Sequence, residues 1–478
     1  MPEIQNIIKN IQNIMRKDPG VDGDAQRLSQ LVWMLFLKIV DDKERELEYE
    51  DKNFKSPIPE DFRWRNWASD KEGKTGEELY SFVDTKLFPA LRNLSTADAT
   101  NPEMAQTIRN IFGGTYNYMR NGTLIRQVVN KINEINFNKK SDRHEFGDLY
   151  EKLLKDLQSA GNAGEFYTPR PLTKFVVEMV APELGEKVLD PACGTGGFLV
   201  NVLEYVRGHN DLSAKQEKDL EKNIHGVELK PLPNLLATTN LILHDVEATD
   251  VITPGDMLSK NVEEYNRDEF VDVVVTNPPF GGVVADGIEH NFPRFQTKET
   301  ADLFLVLIMK LLKDGGRAGI VLPDGTLFGE GVKTKIKKEL LETCNLHTIV
   351  RLPQGVFNPY AGVNTNLVFF EKGTPTKEVW YYQLPLPEGL KQYTKNRGIQ
   401  NSEFDPVCAW WGGEGRKGRK ENVHAWKVPI EEIEKRNYNL DFKNPNGKET
   451  EEFRTSAEIL KSIEEKEKEI GKVLKELL

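Results

Sequence analysis

VLDPACGTGGFLV, residues 188–200, is a short apolar run that breaks into a glycine-rich turn and resumes as an apolar helix. Strand, turn and helix in that order make a ligand site. Gly194, Gly196 and Gly197 carry no Cβ, so a ligand can approach the backbone, and the first amides of the helix then face it. Many nucleotide folds use such a turn, so the glycines alone do not choose the ligand. Asp190-Pro191 is more discriminating. A phosphate cradle gains nothing from a carboxylate at that point, whereas a cationic ligand does. Cys193, between Ala192 and Gly194 at a tight turn, reads as a small packing residue rather than a nucleophile.

The same grammar continues along the chain. Residues 187–190, 224–228, 271–276, 317–322, 347–352 and 366–370 read as strands, with helices between them, for example over 304–312 and 332–341. Alternation of this kind predicts an α/β fold with a mainly parallel sheet covered on both faces, and ligands at the carboxyl ends of its strands. Residues 1–160 are different. Ile4, Ile7, Ile8, Ile11 and Ile14 recur at helical spacing, as do Leu28, Leu31, Val32 and Leu35. A Pro-, Gly- and charge-rich stretch over 51–78 reads as a long connection between helices. The expected division is therefore an all-α N-terminal domain (1–160), the sheet domain (161–375), an irregular region (376–454) and a C-terminal helix (455–478). In that last segment Ile459, Ile463, Ile470, Leu474 and Leu477 form a seam of roughly heptad spacing. Such a helix either folds back on its own domain or docks on a partner subunit.

Bulk composition narrows the class. A chain of 478 residues with 38% hydrophobic and 29% charged residues implies two or three soluble domains. No apolar run approaches the roughly 20 residues of a membrane span; residues 31–40 come nearest and are interrupted by Lys38. The start, MPEIQNIIKNIQ, is not a signal peptide. Three scattered cysteines fit a reducing cytoplasm and no disulfide framework. A net charge of −11 argues against coating nucleic acid unaided, so action on DNA implies a partner that supplies part of the affinity. The basic runs Lys333, Lys335, Lys337, Lys338 and Arg416, Lys417, Arg419, Lys420 read as a solvated helix face and a mobile loop.

Four further stretches carry chemistry. In HGVELKP (225–231), Glu228 tips a strand where a carboxylate commonly takes ribose hydroxyls. In PGDML (254–258), Asp256 either accepts from an adenine amino group or caps a turn. In AGEFYTPR (163–170), Phe166 and Tyr167 either wall a pocket or pack locally, with Thr168 and Pro169 fixing the loop. In TNPPFGG (276–282), two prolines end ladder pairing and leave carbonyls with free lone pairs. GEGVKTK (329–335) fails the phosphate-loop pattern because Val332 separates Gly331 from Lys333. No His or Cys pair has metal-ligand spacing, so no metal is expected.

FYTP, then DPACGTGG, then NPPF is the order found in one group of adenine methyltransferases of DNA. The chain resembles these S-adenosylmethionine-dependent enzymes and, more narrowly, the modification subunit of type I restriction-modification systems. HEFGDLYEKLL (144–154), ADLFLVLIMKLLKDGGRAGIVLPDGTLF (301–328) and RNYNLD (436–441) carry the resemblance over nearly the whole chain. The resemblance implies a Rossmann-like methyltransferase sheet with helices on both faces and a C-terminal helical tail. It implies S-adenosylmethionine as cofactor, held by Glu165, Phe166, Tyr167, Thr168, Asp190, Ala192, Gly194, Thr195, Gly196, Gly197, Glu228, Asp256 and Asn277. Asn277, Pro278 and Phe280 are implied to act on a flipped-out target adenine, with Pro279 stiffening the turn; Asn rather than Ser at 277 favours adenine over cytosine. The implied partners are double-stranded DNA, a separate specificity subunit bound by two copies of this chain, and a restriction subunit that cleaves using ATP. Two rival readings are a protein- or RNA-modifying methyltransferase, since glutamine methyltransferases share an NPP strand tip, and a noncatalytic assembly subunit that binds cofactor but transfers nothing.

Overall fold

A computed structural model describes residues 2–96, 101–138, 146–147, 150–154, 167–247, 250–358, 362–394 and 396–446. Glu165, Phe166 and the expected helix over 455–478 lie outside these residues.

Among the described residues nine strands form one sheet: β1 (Val188–Asp190), β2 (Ile224–Glu228), β3 (Ile252–Pro254), β4 (Val271–Thr276), β5 (Leu312–Pro323), β6 (Cys344–Arg351), β7 (Thr365–Lys372), β8 (Glu378–Gln383) and β9 (Ala425–Pro429). Their order across the sheet is β3-β2-β1-β4-β5-β7-β6-β8-β9. The half that holds β1 is parallel throughout, from β3 to β5. The other half is mixed: β7 lies antiparallel between β5 and β6, and β9 antiparallel against β8. The cause is connection chemistry. Strands that run the same way in one sheet need a crossover element, and helices over 324–328 and 332–343 supply one between β5 and β6, which flank β7. Among the described residues between β6 and β7 there is no helix, and β7 runs the other way.

Covered faces explain why the strands read as continuous apolar runs. In β4, Val273 and Val275 pack with Leu172, Phe175 and Leu199 on one face, while Val274 packs with Leu303 and Leu307 on the other. In β7, Leu367 and Phe369 join the first core, and Val368 and Phe370 the second. Each such side chain, fully buried, contributes about 1.5–3 kcal/mol.

The expected irregular region over 376–454 is corrected by β8 and β9, which extend the same sheet. Their apolar runs are short and lie among Trp, Gly and charged residues, so periodicity is weak; packing supplies what it lacks. Tyr381 of β8 stacks on Trp426 of β9 with ring centroids 5.3 Å apart. RNYNLD then docks on the sheet. Arg351 Nη1 pairs with Asp441 at 2.6 Å and donates to the Phe442 carbonyl at 2.9 Å, and the Tyr381 hydroxyl donates to the Leu440 carbonyl.

The N-terminal residues form a helical body around the helices Pro2–Met15, Asp24–Glu50, Pro102–Gly114 and Gly122–Ile132. Phe88 lies edge-on to both Trp33 and Phe112, with centroids 5.1 and 5.2 Å away. The connection over 51–78 is tied down by one guanidinium: Arg126 donates to the carbonyls of Trp67, Ala68, Asp70 and Lys74. The helix Pro231–Leu243 belongs to both bodies. Leu235, Leu236, Ile242 and Leu243 enter the helical core, while Ala237 and Leu241 enter the sheet core. A helix apolar all round is buried all round.

The basic runs are not simply solvated. Lys337 is buried and its Nζ donates to the carbonyls of Leu327 and Gly329, while Lys333 pairs with buried Asp302 at 2.7 Å. The Arg419 guanidinium lies over the rings of both Trp410 and Trp411 and donates to Thr348. Among the described residues no helix is long and apolar enough to cross a membrane.

Candidate active site

The carboxyl ends of β1, β2 and β4 are neighbours, and they open onto a cavity of about 370 Å³. Thr168, Asp190, Ala192, Gly194, Thr195, Gly197, Glu228, Asp256, Asn277 and Pro279 all reach its wall. Residues spread over 112 positions of the sequence thus meet because three strands end side by side.

The glycine turn is fixed by backbone geometry. Gly194 and Gly196 have φ of +54° and +76°, the left-handed region in which a Cβ is strained. Gly194 N–H donates to Glu228 Oε2 at 3.0 Å, and Lys230 N–H donates to Oε1 at 2.8 Å. The β2 carboxylate therefore holds the β1 turn and is itself oriented by two amides. Cys193 N–H donates to the Val227 carbonyl, which closes the seam. Burial pushes the Cys193 thiol well above its ordinary value, with the Asp190 and Glu228 charges adding to the effect. It is a packing residue, as its sequence context suggests.

Asp190 is fully buried. Its Oδ1 accepts the Ala192 N–H at 3.2 Å, and Oδ2 has no hydrogen-bond partner among the described residues. Burial raises its carboxyl from 3.8 to about 7, with the Glu228 charge acting in the same direction. A buried carboxyl in that state is poised to ionise beside a cation. Asp256 caps a turn, its Oδ1 accepting the Leu258 N–H at 2.9 Å, and it also lines the cavity.

At the β4 tip, Asn277 Nδ2 donates to Thr168 Oγ1 at 3.0 Å. Its Oδ1 is buried and accepts no hydrogen bond among the described residues. Pro278 is buried and Pro279 exposed. Phe280 is half-buried, held edge-on by Phe357 with centroids 5.3 Å apart. Thr300 pins the following loop by donating its hydroxyl to the Gly282 carbonyl at 2.8 Å.

Two expected cofactor contacts stand behind the cavity wall. Tyr167 is buried in the helical core, with the Arg170 guanidinium 5.1 Å from its ring centre. Gly196 faces the helix Pro231–Leu243, where a Cβ would come 3.3 Å from that of Ala237. Pro278 and Phe280 likewise lie outside the cavity lining, on the strand tip beside it. Sequence reasoning missed Arg170, Leu229, Met257, Val283 and Phe304, all of which line the cavity. Leu229 and Val283 are 61% and 70% exposed, costly positions for apolar side chains unless something covers them. A leucine placed directly after Glu228 was the available signal.

Three carboxylates (Asp190, Glu228 and Asp256) with Arg170 and Lys230 beside them, a glycine turn and apolar residues suit a molecule with a charged end, hydroxyls and a flat ring. The unpartnered Asp190 Oδ2 fits a cationic group. Among the described residues no group of three or more His, Cys, Asp or Glu is arranged to hold a metal ion.

Comparison with known proteins gives this geometry a context. Residues 141–453 match the family model described as N-6 DNA Methylase, and residues 4–132 match the HsdM N-terminal domain. The chain is 54% identical over 477 residues to the type I restriction enzyme EcoEI methylase subunit of Escherichia coli, covering 99% of this chain and 96% of that one. It is 33% identical to the StySPI methylase subunit of Salmonella potsdam, covering 87% of this chain and 78% of that one. Among solved structures, a chain from work on complex assembly and conformational transition of the type I R-M system superposes with a TM-score of 0.84. The two are 40% identical, with 100% of this chain and 97% of that chain covered. A modification subunit from Vibrio vulnificus YJ016 gives 0.81 at 43% identity, with 93% and 97% covered.

Proposed function

This chain belongs to the methylase subunits of type I restriction enzymes, which are adenine-specific N-6 DNA methyltransferases, and from that premise we propose how its residues carry out the transfer. The observation that carries the proposal is the buried, unpartnered Oδ1 of Asn277 at the tip of β4.

S-adenosylmethionine, when bound, supplies a methyl group on a sulfonium, so no covalent intermediate on the protein is needed. Asp190 and the turn at Gly194–Gly197 take its cationic amino-acid end, Glu228 its ribose hydroxyls and Asp256 its adenine. Leu229 and Met257 offer apolar cover for the ring.

The exocyclic amine of the target adenine is a poor nucleophile because its lone pair is delocalised into the ring. Asn277 Oδ1 and the Pro278 carbonyl accept its two N–H bonds and aim the lone pair at the methyl group. Thr168 holds the Asn277 amide so that Oδ1, not Nδ2, faces the amine. Pro279 limits movement of the carbonyl before it, so little reorganisation accompanies transfer. Phe280, steadied by Phe357, gives the base an aromatic face. The base must leave the duplex, because its amine is otherwise paired. Alignment is the main contribution.

The recognised sequence is chosen by a separate specificity subunit gripped partly by residues 455–478, with two copies of this chain per specificity subunit. Methylation then protects the DNA from a restriction subunit in the same complex. The test is transfer of labelled methyl from S-adenosylmethionine to duplex DNA with and without the specificity subunit. N6-methyladenine formed only in its presence supports the reading; label on protein, or no transfer in either case, refutes it.

A further inference from the structure

At the carboxyl end of β5, one apolar side chain is held out to solvent by a tightly fixed backbone. The strand ends at Pro323, and the short helix Asp324–Phe328 follows it. Thr326 and Leu327 turn inward. The Thr326 hydroxyl donates to the buried Asp302 Oδ1 at 3.0 Å, and Leu327 joins Leu303, Leu307 and Ile336 in the core. Phe328 turns outward and is 50% exposed. Among the described residues it is the one exposed aromatic side chain with no polar atom of its own. Leaving that ring in water forfeits the gain of burying it, so the position asks for something that covers it.

The backbone on both sides of the ring is locked. Buried Lys337 Nζ donates to the Leu327 carbonyl at 2.7 Å and to the Gly329 carbonyl at 2.8 Å. The Leu440 N–H donates to the same Leu327 carbonyl at 3.0 Å, and the Gly329 N–H to the Gly325 carbonyl at 3.1 Å. A Cβ at residue 329 would come 2.7 Å from that Gly325 oxygen, so a side chain there would force the turn apart. Burying an ammonium costs free energy, and here the charge serves the two carbonyls that flank an exposed ring. The place of the ring is equally specific. β5 lies beside β4, whose tip carries Asn277, and beside the start of β7. Exposed Val363 stands just before β7, where the Asp324 N–H donates to the Asn364 carbonyl at 3.0 Å. Phe328 and Val363 are thus at the same end of the sheet as the Asn277 acceptor.

We propose that Phe328 is a wedge that enters the DNA duplex beside the target adenine and fills the space in the stack that the extruded base leaves. The assignment rests on the base-flipping reading given above. Extrusion unstacks the neighbours of the adenine, and the gap closes again on the returning base unless an apolar group occupies it. A flat ring without hydrogen-bonding atoms fills that gap against either neighbouring base pair. A restacking duplex pushes back, so a wedge needs a fixed carrier, and the Lys337 clamp supplies one. A contact patch for a partner protein would gain from the area of the ring alone and has no need of a locked backbone. Phe328 touches the duplex and leaves the amine to Asn277.

The experiment uses the complex with the specificity subunit, on a duplex carrying the site mapped from the adenines that it methylates. Two substrates are compared, one with the target adenine paired to thymine and one with it opposite an abasic position, where extrusion costs less. Phe328→Ala is expected to slow single-turnover transfer about 10- to 100-fold on the paired duplex and less than about threefold on the other. With 2-aminopurine at the target position, the variant should also lose the fluorescence rise that reports extrusion. Phe328→Leu, which keeps an apolar wedge, is expected to fall between and keeps the test available if the alanine variant does not fold. Equal losses on both duplexes make Phe328 a general DNA contact and overturn the proposal; unchanged transfer on both overturns it as well. Lost assembly with the specificity subunit, followed by light scattering, makes Phe328 a partner contact and overturns it too. A wild-type complex with no fluorescence rise at the target refutes the base-flipping reading itself, a failure distinct from the others.

Discussion

Asn277 and Thr168, 109 positions apart in the chain, meet through a 3.0 Å hydrogen bond from the asparagine amide to the threonine hydroxyl. This contact joins the FYTP and NPPF stretches and engages the nitrogen of the asparagine amide. With Nδ2 engaged, Oδ1 remains as the acceptor.

Asn277→Ala is expected to lower single-turnover methyl transfer by about 10²- to 10³-fold, the cost typical of removing one preorganised polar contact. Thr168→Val is expected to lower it less, because the acceptor remains but loses its orientation. In both variants cofactor affinity should stay within a few-fold of wild type, measured by titration without DNA. Loss of cofactor binding equal to the loss of transfer would assign these residues to the cofactor instead.

Asp190 ties the stability of the fold to pH. Its carboxyl is raised by burial from 3.8 to about 7 in the folded chain. Between those values the folded chain holds a proton that the unfolded chain has released, so this residue makes stability fall as pH rises through that window and level off above it. Asp190→Asn removes the dependence. At pH 8 the variant is expected to be more stable than wild type by about 1–3 kcal/mol, with a smaller difference at pH 5. Its cofactor affinity should drop by at least about tenfold, since a charge-assisted contact is lost. Thermal melts at the two pH values check the first statement and titration checks the second. A larger difference at pH 5 than at pH 8 contradicts it.

Lys337 supports the loop after β5 from inside. Burial lowers its ammonium to about 8, yet its two carbonyl partners make it the cap of the helix Asp324–Phe328. Lys337→Met keeps the aliphatic stem and leaves the Leu327 and Gly329 carbonyls without this donor. A loss of about 2–3 kcal/mol is expected in denaturant unfolding. Lys338→Met, on the exposed face, is expected to be neutral within about 0.5 kcal/mol.

A chain truncated after Asn446 tests the proposed role of the C-terminal segment. Cofactor binding is expected to be retained, because the described residues that line the cavity all precede that point. Complex formation with the specificity subunit, followed by light scattering, is expected to be lost. Assembly at wild-type affinity removes residues 455–478 from the interface.

The parallel half of the sheet was legible in the sequence because its strands are buried on both faces and end in residues with a chemical task. β1, β2 and β4 stop at Asp190, Glu228 and just before Asn277, and those tips announced themselves. β3 did not, since only Ile252 of its three residues is buried and it ends on Pro254. β8 and β9 did not, because they owe their place at this end of the sheet to contacts such as Tyr381 on Trp426, which no local pattern encodes. The direction of β7 was invisible in its own residues and follows from the connection before it. At the site, carboxylates and glycines were readable as types. Arg170 was not, since its place on the cavity wall depends on a glycine 27 positions later that leaves it room.

The helix Pro231–Leu243, shared between two cores, bears on how such a protein can be altered or inherited. The change of grammar near residue 160 looks like a seam at which two modules could be exchanged. Packing puts no seam there: a methylase body cut free of its helical partner would present Leu235, Leu236, Ile242 and Leu243 to water. Recombination between relatives should therefore carry this helix together with the N-terminal residues that cover it. Chimeras joined anywhere else inherit a mismatched hydrophobic wall, and their first symptom should be insolubility rather than a lost reaction.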